Sequence, residues 1–230
     1  REHELGVYNV PRFSPSGDEL LYNYAQPAGA AYAVKLLDLR TRNSTWLTPR
    51  GFKAWEPDWS PDGSQIVLVK NDPRKLYRDL HVMPAEGGEA RNLTFWLEHD
   101  EEPAWSPDGR EIAFMRVSKL GRRVATYDVA SGDVRELTDH TFEAFRPSWS
   151  PDGQHIVFYG ATVEGINRGR ETWNLYTIRQ DGTDMRRLTD HEPEWAVYPV
   201  WVNADLLPVS RRGKAVTTWG HLRKAAEDDQ

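Results

Sequence analysis

One four-residue phrase, Ser-Pro-Asp-Gly, recurs along this chain of 230 residues and limits its possible folds more than any other feature. It stands at residues 60–63, 106–109 and 150–153, and the variant Ser-Pro-Ser-Gly stands at 14–17. A proline precedes each copy by three residues, and a fifth proline of the same series follows without the phrase. The series is Pro11, Pro57, Pro103, Pro147 and Pro199, with successive members 44 to 52 residues apart.

Each repeat carries the same companions in the same order. An aromatic residue lies two positions after the proline, and an apolar run and a Leu-Thr pair follow in the first four copies. The aromatic residues are Phe13, Trp59, Trp105, Trp149 and Trp201. Alternating apolar positions between turn signals predict four short strands per copy. Repeats of about 40–50 residues built from such strands are typical of β-propeller blades.

The repeated phrase itself is expected to shape the chain rather than to do chemistry. Serine first, proline second and glycine fourth are the preferences of a type I turn. The first copy replaces the aspartate by Ser16 and keeps Gly17, which a turn permits and a calcium site would not. We therefore interpret the aspartate as a turn residue and the repeated tryptophan as core between neighbouring blades.

These patterns predict an all-β fold, a β-propeller of four-stranded antiparallel blades. Five blades closed by the N-terminal strand are favoured, and a fragment of a six- or seven-bladed propeller is the alternative. The expected domain covers residues 1–222, and a charged tail covers residues 223–230. The blades are expected near residues 11–48, 57–94, 103–138 and 147–189, with the fifth formed by 199–222 plus 1–10.

The motif Pro-x-Trp-Ser-Pro-Asp-Gly, followed by an Ile-Ala-Phe-like strand and a Leu-Thr end, resembles the TolB-like (WD-repeat-like) β-propeller family over residues 11–201. The resemblance implies an interaction protein that works in the periplasm or after secretion, although a cytoplasmic location stays open. TolB itself carries an α/β domain before a six-bladed propeller. This sequence has four full copies and one degenerate copy, so it departs from that pattern.

Composition narrows the function classes. The formal net charge of −6 argues against a general nucleic-acid binder. No apolar run approaches the ~18 residues needed to span a bilayer. The absence of cysteine excludes disulfides and thiolate metal sites. Since the chain begins at Arg1, we expect a processed form, a trimmed piece or a fragment, and we expect a monomer.

The candidate site lies on the face where the fourth strand of one blade leads to the first strand of the next. These connections are expected to be long, and rigid scaffolds place function on such loops. Aromatic, carboxylate and guanidinium side chains gather there at the mouth of the central channel, where they suit a peptide, a saccharide or another small ligand. The predicted ligand-binding residues are Trp55, Glu56, Glu102, Arg146, Trp195 and Tyr198.

The sequence favours a non-catalytic scaffold that binds a protein or a small-molecule or saccharide ligand at this face, and no cofactor is expected. One alternative is a propeller lyase or hydrolase with a histidine and carboxylate metal site, for which His99, His140 and His191 are the candidates. Another is a propeller domain detached from a larger receptor or peptidase. The chain contains no Gly-x-Ser-x-Gly elbow of a serine hydrolase.

Overall fold

The computed structural model describes residues 11–25, 32–71, 77–95, 98–167, 173–189 and Pro199. These residues form four antiparallel sheets of four strands each, in simple sequential order. The fold is therefore the predicted all-β propeller architecture. No helix of the described part is long and apolar enough to cross a membrane.

Each blade consists of four consecutive strands. Blade 1 contains β1 (Arg12–Phe13), β2 (Glu19–Ala25), β3 (Tyr32–Asp38) and β4 (Ser44–Trp46). Blade 2 contains β5 (Ala54–Trp59), β6 (Gln65–Asn71), β7 (Arg78–Pro84) and β8 (Arg91–Asn92). Blade 3 contains β9 (His99–Trp105), β10 (Glu111–Ser118), β11 (Gly121–Asp128) and β12 (Val134–Glu136). Blade 4 contains β13 (Phe142–Trp149), β14 (His155–Thr162), β15 (Asn174–Arg179) and β16 (Arg186–Arg187), with the short helix α1 (Val163–Asn167) after β14.

The Ser-Pro-Asp-Gly phrase forms the turn between the first and second strands, as predicted. In blade 2 the amide of Gly63 donates to the carbonyl of Ser60 at 2.9 Å, which closes the turn. The Ser60 hydroxyl donates to Asp62 at 2.6 Å and accepts the amide of Gln65 at 2.9 Å. Gly63 has a φ of +73°, a conformation that glycine adopts without steric cost. The aspartate thus satisfies its own turn.

The repeated tryptophans pack between blades, as the sequence predicts. Trp59, Trp105 and Trp149 keep 7%, 8% and 6% of their surface exposed. Trp59 joins Leu21 and Val34 of blade 1 in one apolar cluster. Trp105 and Trp149 join equivalent clusters between blades 2 and 3 and between blades 3 and 4. One tryptophan per interface therefore fixes each blade against the blade before it.

The first strands of neighbouring blades lie side by side, whereas the fourth strands pack mainly on the third strands of their own sheets. The first strands β1, β5, β9 and β13 therefore occupy the inner edge, where a propeller has its central channel. The N-terminal strand, the fifth blade and the charged tail all lie outside the described residues, so the blade count and closure remain predictions.

Candidate functional site

Four of the six predicted site residues are described, and they lie in the innermost strands rather than in long loops. Trp55 and Glu56 belong to β5, Glu102 belongs to β9, and Arg146 belongs to β13. The connections from the fourth strand of one blade to the first strand of the next are therefore shorter than expected. The innermost strands begin three to five residues before the proline of each repeat. Trp195 and Tyr198 lie outside the described residues.

The three charged residues share one unusual backbone conformation. Glu56, Glu102 and Arg146 have φ values of +53°, +57° and +51°. The pairing register of β5, β9 and β13 shifts at this point, which marks a β-bulge in each strand. A non-glycine residue in the left-handed region costs ~1–2 kcal/mol. Strained residues of this kind cluster at functional sites, so the bulge is a candidate site on backbone grounds alone.

A hydrogen-bond relay links the bulges of three successive blades. The Glu56 carboxylate accepts the amide of Glu102 at 2.8 Å, and the Glu102 carboxylate accepts the amide of Arg146 at 2.7 Å. The guanidinium of Arg146 also lies 3.4 Å from Glu102. The relay joins adjacent innermost strands through side chains, and each side chain reaches into the next blade.

The carboxylates at this inner edge differ in their charge partners. Asp58 lies 3.3 Å from the guanidinium of Arg12, and Glu102 has Arg146. Glu101 forms a short ion pair with Arg78. Among the described residues, Glu56 has no guanidinium or ammonium group within salt-bridge distance. When all of these carboxyls are ionised, Glu56 is therefore the one that has no paired cation among the described residues.

Burial raises the pKa of these carboxyls. The pKa of Glu56 rises to about 7, first because burial disfavours its charged form and then because the Glu102 carboxylate lies close by. Burial also raises the pKa of Glu102 and of Asp58, against the opposing effects of Arg146 and Arg12. Glu56 is therefore a carboxyl whose charge changes near neutral pH.

Trp55 makes an aromatic contact at the inner edge formed by the first strands. Its ring lies 6.1 Å from the ring of Tyr32 in an edge-to-face arrangement. The guanidinium of Arg78 lies 5.9 Å from the Trp55 ring centroid while it pairs with Glu101. Trp55 is half-buried against the core between blades 2 and 3. It thus combines a packing role with a partly accessible ring.

A second aromatic cluster, which we call the blade-4 aromatic cluster, consists of Phe145, Tyr159 and Trp173. Its three ring-to-ring distances are 5.2, 5.2 and 5.3 Å, and all three rings are half-buried. The guanidinium of Arg122 lies 5.2 Å from the Phe145 ring. The pKa of Tyr159 is raised by burial and by the nearby Glu102 carboxylate, which places Tyr159 beside the relay.

Sequence reasoning did not select Tyr159 or Trp173. A signal for Tyr159 was present, because the fourth residue of the apolar run is aromatic here and is Val69 or Met115 in blades 2 and 3. Trp173 likewise replaces Arg78 and Arg122 at the start of the third strand. Comparison of the copies position by position would have found both departures.

Several described basic residues near this edge are paired with carboxylates. Arg116 forms a buried bidentate pair with Asp100 at 2.9 and 3.1 Å. Arg122 lies 3.5 Å from Glu143, and Arg123 lies 2.9 Å from Glu136. The connection between β10 and β11 is also short, with Lys119 and Leu120 at its tip. These cations mainly balance neighbouring carboxylates.

The histidine candidates for a metal site are placed differently from one another. His99 lies in β9, where its Nδ1 accepts the amide of Arg78 at 3.1 Å and its ring packs 5.6 Å from Tyr77. His140 lies in an exposed turn next to Asp139, whose carboxylate accepts from Thr141. His191 lies outside the described residues. Within the described ranges, no three histidine, aspartate or glutamate side chains are grouped so that they could hold a metal ion.

Comparison with known proteins identifies related sequences and folds. The sequence profile of the TolB β-propeller domain family matches residues 3–204. TolB from Acinetobacter baumannii is 27% identical and superposes with a TM-score of 0.68, over 82% of this chain and 45% of that protein.

Two enzymes share the fold at lower identity. Oligogalacturonate lyase from Vibrio parahaemolyticus is 16% identical, with a TM-score of 0.64 over 86% of this chain and 57% of that protein. A puromycin-hydrolysing peptidase from Mycobacterium tuberculosis is 15% identical, with a TM-score of 0.62 over 81% of this chain and 30% of that protein. This chain therefore spans about half or less of the length of most of these proteins, and the two enzymes show the fold alone.

Proposed function

Because the chain belongs to the TolB β-propeller domain family, we propose that it is a non-catalytic scaffold that binds a protein or small-molecule ligand at the inner edge formed by β5, β9 and β13. The proposed contact surface consists of the strand bulges and their aromatic neighbours. Trp195 and Tyr198 are proposed to join it from the last repeat. We also propose that the protein acts as a monomer in the periplasm or after secretion, as the family resemblance implies.

The observation that carries this proposal is where the blades differ from one another. The turn phrase and the buried tryptophan are nearly invariant among blades 2, 3 and 4. The residue before the proline, by contrast, is Glu56, Glu102 or Arg146, each in a strained conformation. Glutamate stands there in blades 2 and 3, where it bonds to the next blade, and arginine stands there in blade 4. Charged, partly buried side chains in a strained conformation support a role in binding besides that contact.

The charges favour a ligand that presents a cation. Glu56 has no cationic partner among the described residues, whereas Asp58, Glu101 and Glu102 each have one. A lysine or arginine side chain or an amino terminus would compensate Glu56. Trp55 and the blade-4 aromatic cluster offer ring faces and edges for an apolar or cyclic part of the same ligand. A basic, aromatic-containing peptide segment fits both features.

A binding screen with matched variants tests the proposal. The panel contains tripeptides that combine lysine or arginine with an aromatic residue, the same peptides with acidic residues, neutral oligosaccharides, and the Mn²⁺ and Zn²⁺ ions. We expect the basic peptides to bind, and we expect Glu56→Gln to weaken them by more than ~2 kcal/mol, about 30-fold. Asp62→Ala, at the turn, is the control and should leave affinity unchanged.

The other arms of the screen decide between classes of function. Binding of Mn²⁺ or Zn²⁺ that depends on His99 or His140 would favour the alternative of a metal-dependent lyase or hydrolase. Binding of oligosaccharides with equal losses in Glu56→Gln and Arg146→Ala would keep the site and change the ligand. Loss of affinity confined to Asp62→Ala would reject the site.

A further inference from the structure

The hairpin between β10 and β11 exposes an aliphatic side chain at its tip. Lys119 and Leu120 are the two residues that connect the strands. Leu120 keeps 67% of its surface exposed, which makes it the most exposed large aliphatic residue in the described part of the chain. Two-residue hairpin loops usually carry Asn, Asp or Gly, and a leucine in this place adds nothing to the core. The fold itself therefore gives no reason for Leu120.

Polar contacts within blade 3 fix the backbone of this tip. The Ser118 hydroxyl accepts the amide of Leu120 at 3.0 Å. The same hydroxyl accepts a hydrogen bond from the guanidinium of Arg123 at 3.0 Å. Arg123 is itself buried and pairs with Glu136 at 2.9 Å. The tip is thus anchored to the third and fourth strands of its own blade.

A carboxylate from blade 4 holds the other side of the hairpin. Glu143 accepts the amide of Arg122 at 3.2 Å. Its carboxylate lies so close to Gly121, which has a φ of +107°, that a Cβ on Gly121 would collide with it. Leu120 is therefore displayed on a support that is ordered before any partner arrives. Binding through such a support avoids much of the entropy cost of ordering a loop.

The charges around Leu120 are mainly positive. Lys119 is exposed and has no carboxylate within salt-bridge distance in the ranges that the structure describes. The Arg122 side chain is 45% exposed and lies 3.5 Å from Glu143. Two cations and one carboxylate leave the tip with an excess positive charge. The guanidinium of Arg122 also lies 5.2 Å from the Phe145 ring, so the tip continues into the blade-4 aromatic cluster.

We propose that the tip formed by Lys119 and Leu120 is a second contact surface, which docks an acidic amphipathic segment of a partner protein. Leu120 packs against the aliphatic side chains of that segment, and a neighbouring carboxylate of the segment pairs with Lys119. Charge complementarity selects this occupant, because a basic segment would place like charges together. The occupant differs from the basic ligand proposed for the inner edge, and the inference does not rest on that ligand.

Two capped peptides of opposite charge test the docking. Acetyl-Glu-Leu-Leu-Glu-Glu-Leu-Leu-Glu-amide and its counterpart with lysine in place of glutamate are titrated into the ¹⁵N-labelled chain, and amide shifts are followed by NMR. We expect the acidic peptide alone to shift the amides of residues 118–122. The lysine peptide is free to bind at the inner edge, where it would shift other amides. This difference keeps the test separate from that of the proposed ligand site.

Three variants sharpen the result. Leu120→Ser should weaken binding of the acidic peptide at least roughly tenfold, and Lys119→Ala should weaken it and reduce its dependence on salt. Leu39→Ser changes an exposed leucine in the turn between β3 and β4 of blade 1, and it should leave the affinity unchanged. Because Leu120 is so exposed, Leu120→Ser should melt at the same temperature as the parent.

Several outcomes would overturn the inference. These are the absence of shifts at residues 118–122 with the acidic peptide, equal shifts there from both peptides, and equal affinity of Leu120→Ser and the parent. A lower melting temperature of Leu120→Ser would make Leu120 a packing residue. Shifts at residues 118–122 that appear when the parent is concentrated without peptide, and that vanish in Leu120→Ser, would assign the tip to a second copy of the chain.

Discussion

The two ends of the innermost strand of blade 2 use carboxylates in opposite ways. At the turn end, Asp62 accepts hydrogen bonds from Ser60 and Ser64, and these bonds lower its pKa to about 2. At the bulge end, burial and the neighbouring Glu102 raise the pKa of Glu56 to about 7. Glu56 and Asp62 are only six positions apart in the chain, yet their pKa values are shifted in opposite directions. Local hydrogen bonds stabilise the charged form of Asp62. Burial in the folded chain destabilises the charged form of Glu56.

The comparison separates shape from proposed binding. The turn aspartates Asp62, Asp108 and Asp152 make equivalent bonds to the first serine of the phrase, so each turn is complete in itself. The bulge residues Glu56 and Glu102 bond instead to the next blade, and the series changes to Arg146 in blade 4. A repeated feature with satisfied local bonds serves the fold. A varied, strained feature with an unbalanced charge is a candidate for recognition.

The largest expected loss of stability comes from replacing a tryptophan. Two tryptophans at the interface between blades 2 and 3 allow a direct comparison. Trp105→Ala removes a side chain that is 8% exposed between blades 2 and 3, and it should lower the free energy of unfolding by ~3–5 kcal/mol. Trp55→Ala, at the bulge end, should cost clearly less because the ring is half-buried. Urea unfolding of both variants checks the difference. Equal losses would mean that Trp55 is core and that the proposed site has lost one of its rings.

The turn end can be tested through two glycines. A Cβ on Gly109 would lie 3.3 Å from Pro61 of the preceding turn, and Gly109 has a φ of +71°. Gly109→Ala should therefore cost ~2–3 kcal/mol, from backbone strain and from crowding against the neighbouring blade. Gly17 has a φ of +79° and no atom near its Cβ position, so Gly17→Ala should cost only about 1 kcal/mol.

Thermal and urea denaturation would separate these two contributions. A Gly109→Ala variant as stable as Gly17→Ala would contradict a close contact between successive turns. Such a result would leave the turn phrase as a local feature of each blade, without a part in holding neighbouring blades together.

The smallest expected stability effect is the pH dependence at the bulge end. A carboxyl whose pKa is raised by folding binds its proton more tightly in the folded chain, so stability falls as the pH rises from about 4.5 to about 7. Glu56→Gln keeps an acceptor for the Glu102 amide and removes this loss. Between pH 5 and pH 8 it should gain ~1–2 kcal/mol relative to the parent, after allowance for partial exposure.

The turn end supplies the opposite slope as a control. The lowered pKa of Asp62 contributes stability above its ordinary value of 3.8, and this contribution is lost as the pH falls through about 2. Asp62→Asn should therefore differ most from the parent at neutral pH and least near pH 2. Unfolding curves from pH 2 to pH 8 for both variants give the two slopes. Parallel curves for Glu56→Gln and the parent would contradict a Glu56 carboxyl whose pKa is raised by folding.

The sequence predicted the turn end well and the bulge end only in part. Ser60, Pro61 and Gly63 act within a few residues of one another, so their spacing alone indicates the turn. The tryptophan recurs once in every copy, and this period predicted the packing between blades. Glu56, Glu102 and Arg146 were found by position, but their left-handed backbone and their relay depend on bulges and on contacts between blades. Tyr159 and Trp173 come together with Phe145 from three strands, which no local pattern reveals.

The most direct test of the account measures binding at the two ends of the same strand. A basic, aromatic-containing tripeptide from the screen is titrated into ¹⁵N-labelled parent, Glu56→Gln and Asp62→Asn protein, and amide shifts and affinity are followed by NMR. We predict shifts confined to residues 54–58, 100–104 and 144–148 and to Tyr159 and Trp173, with an affinity reduced about 30-fold in Glu56→Gln and unchanged in Asp62→Asn. Absence of binding by every basic peptide, shifts centred on residues 60–64, or equal affinity of Glu56→Gln and the parent would contradict the claim that the bulge end is the recognition surface.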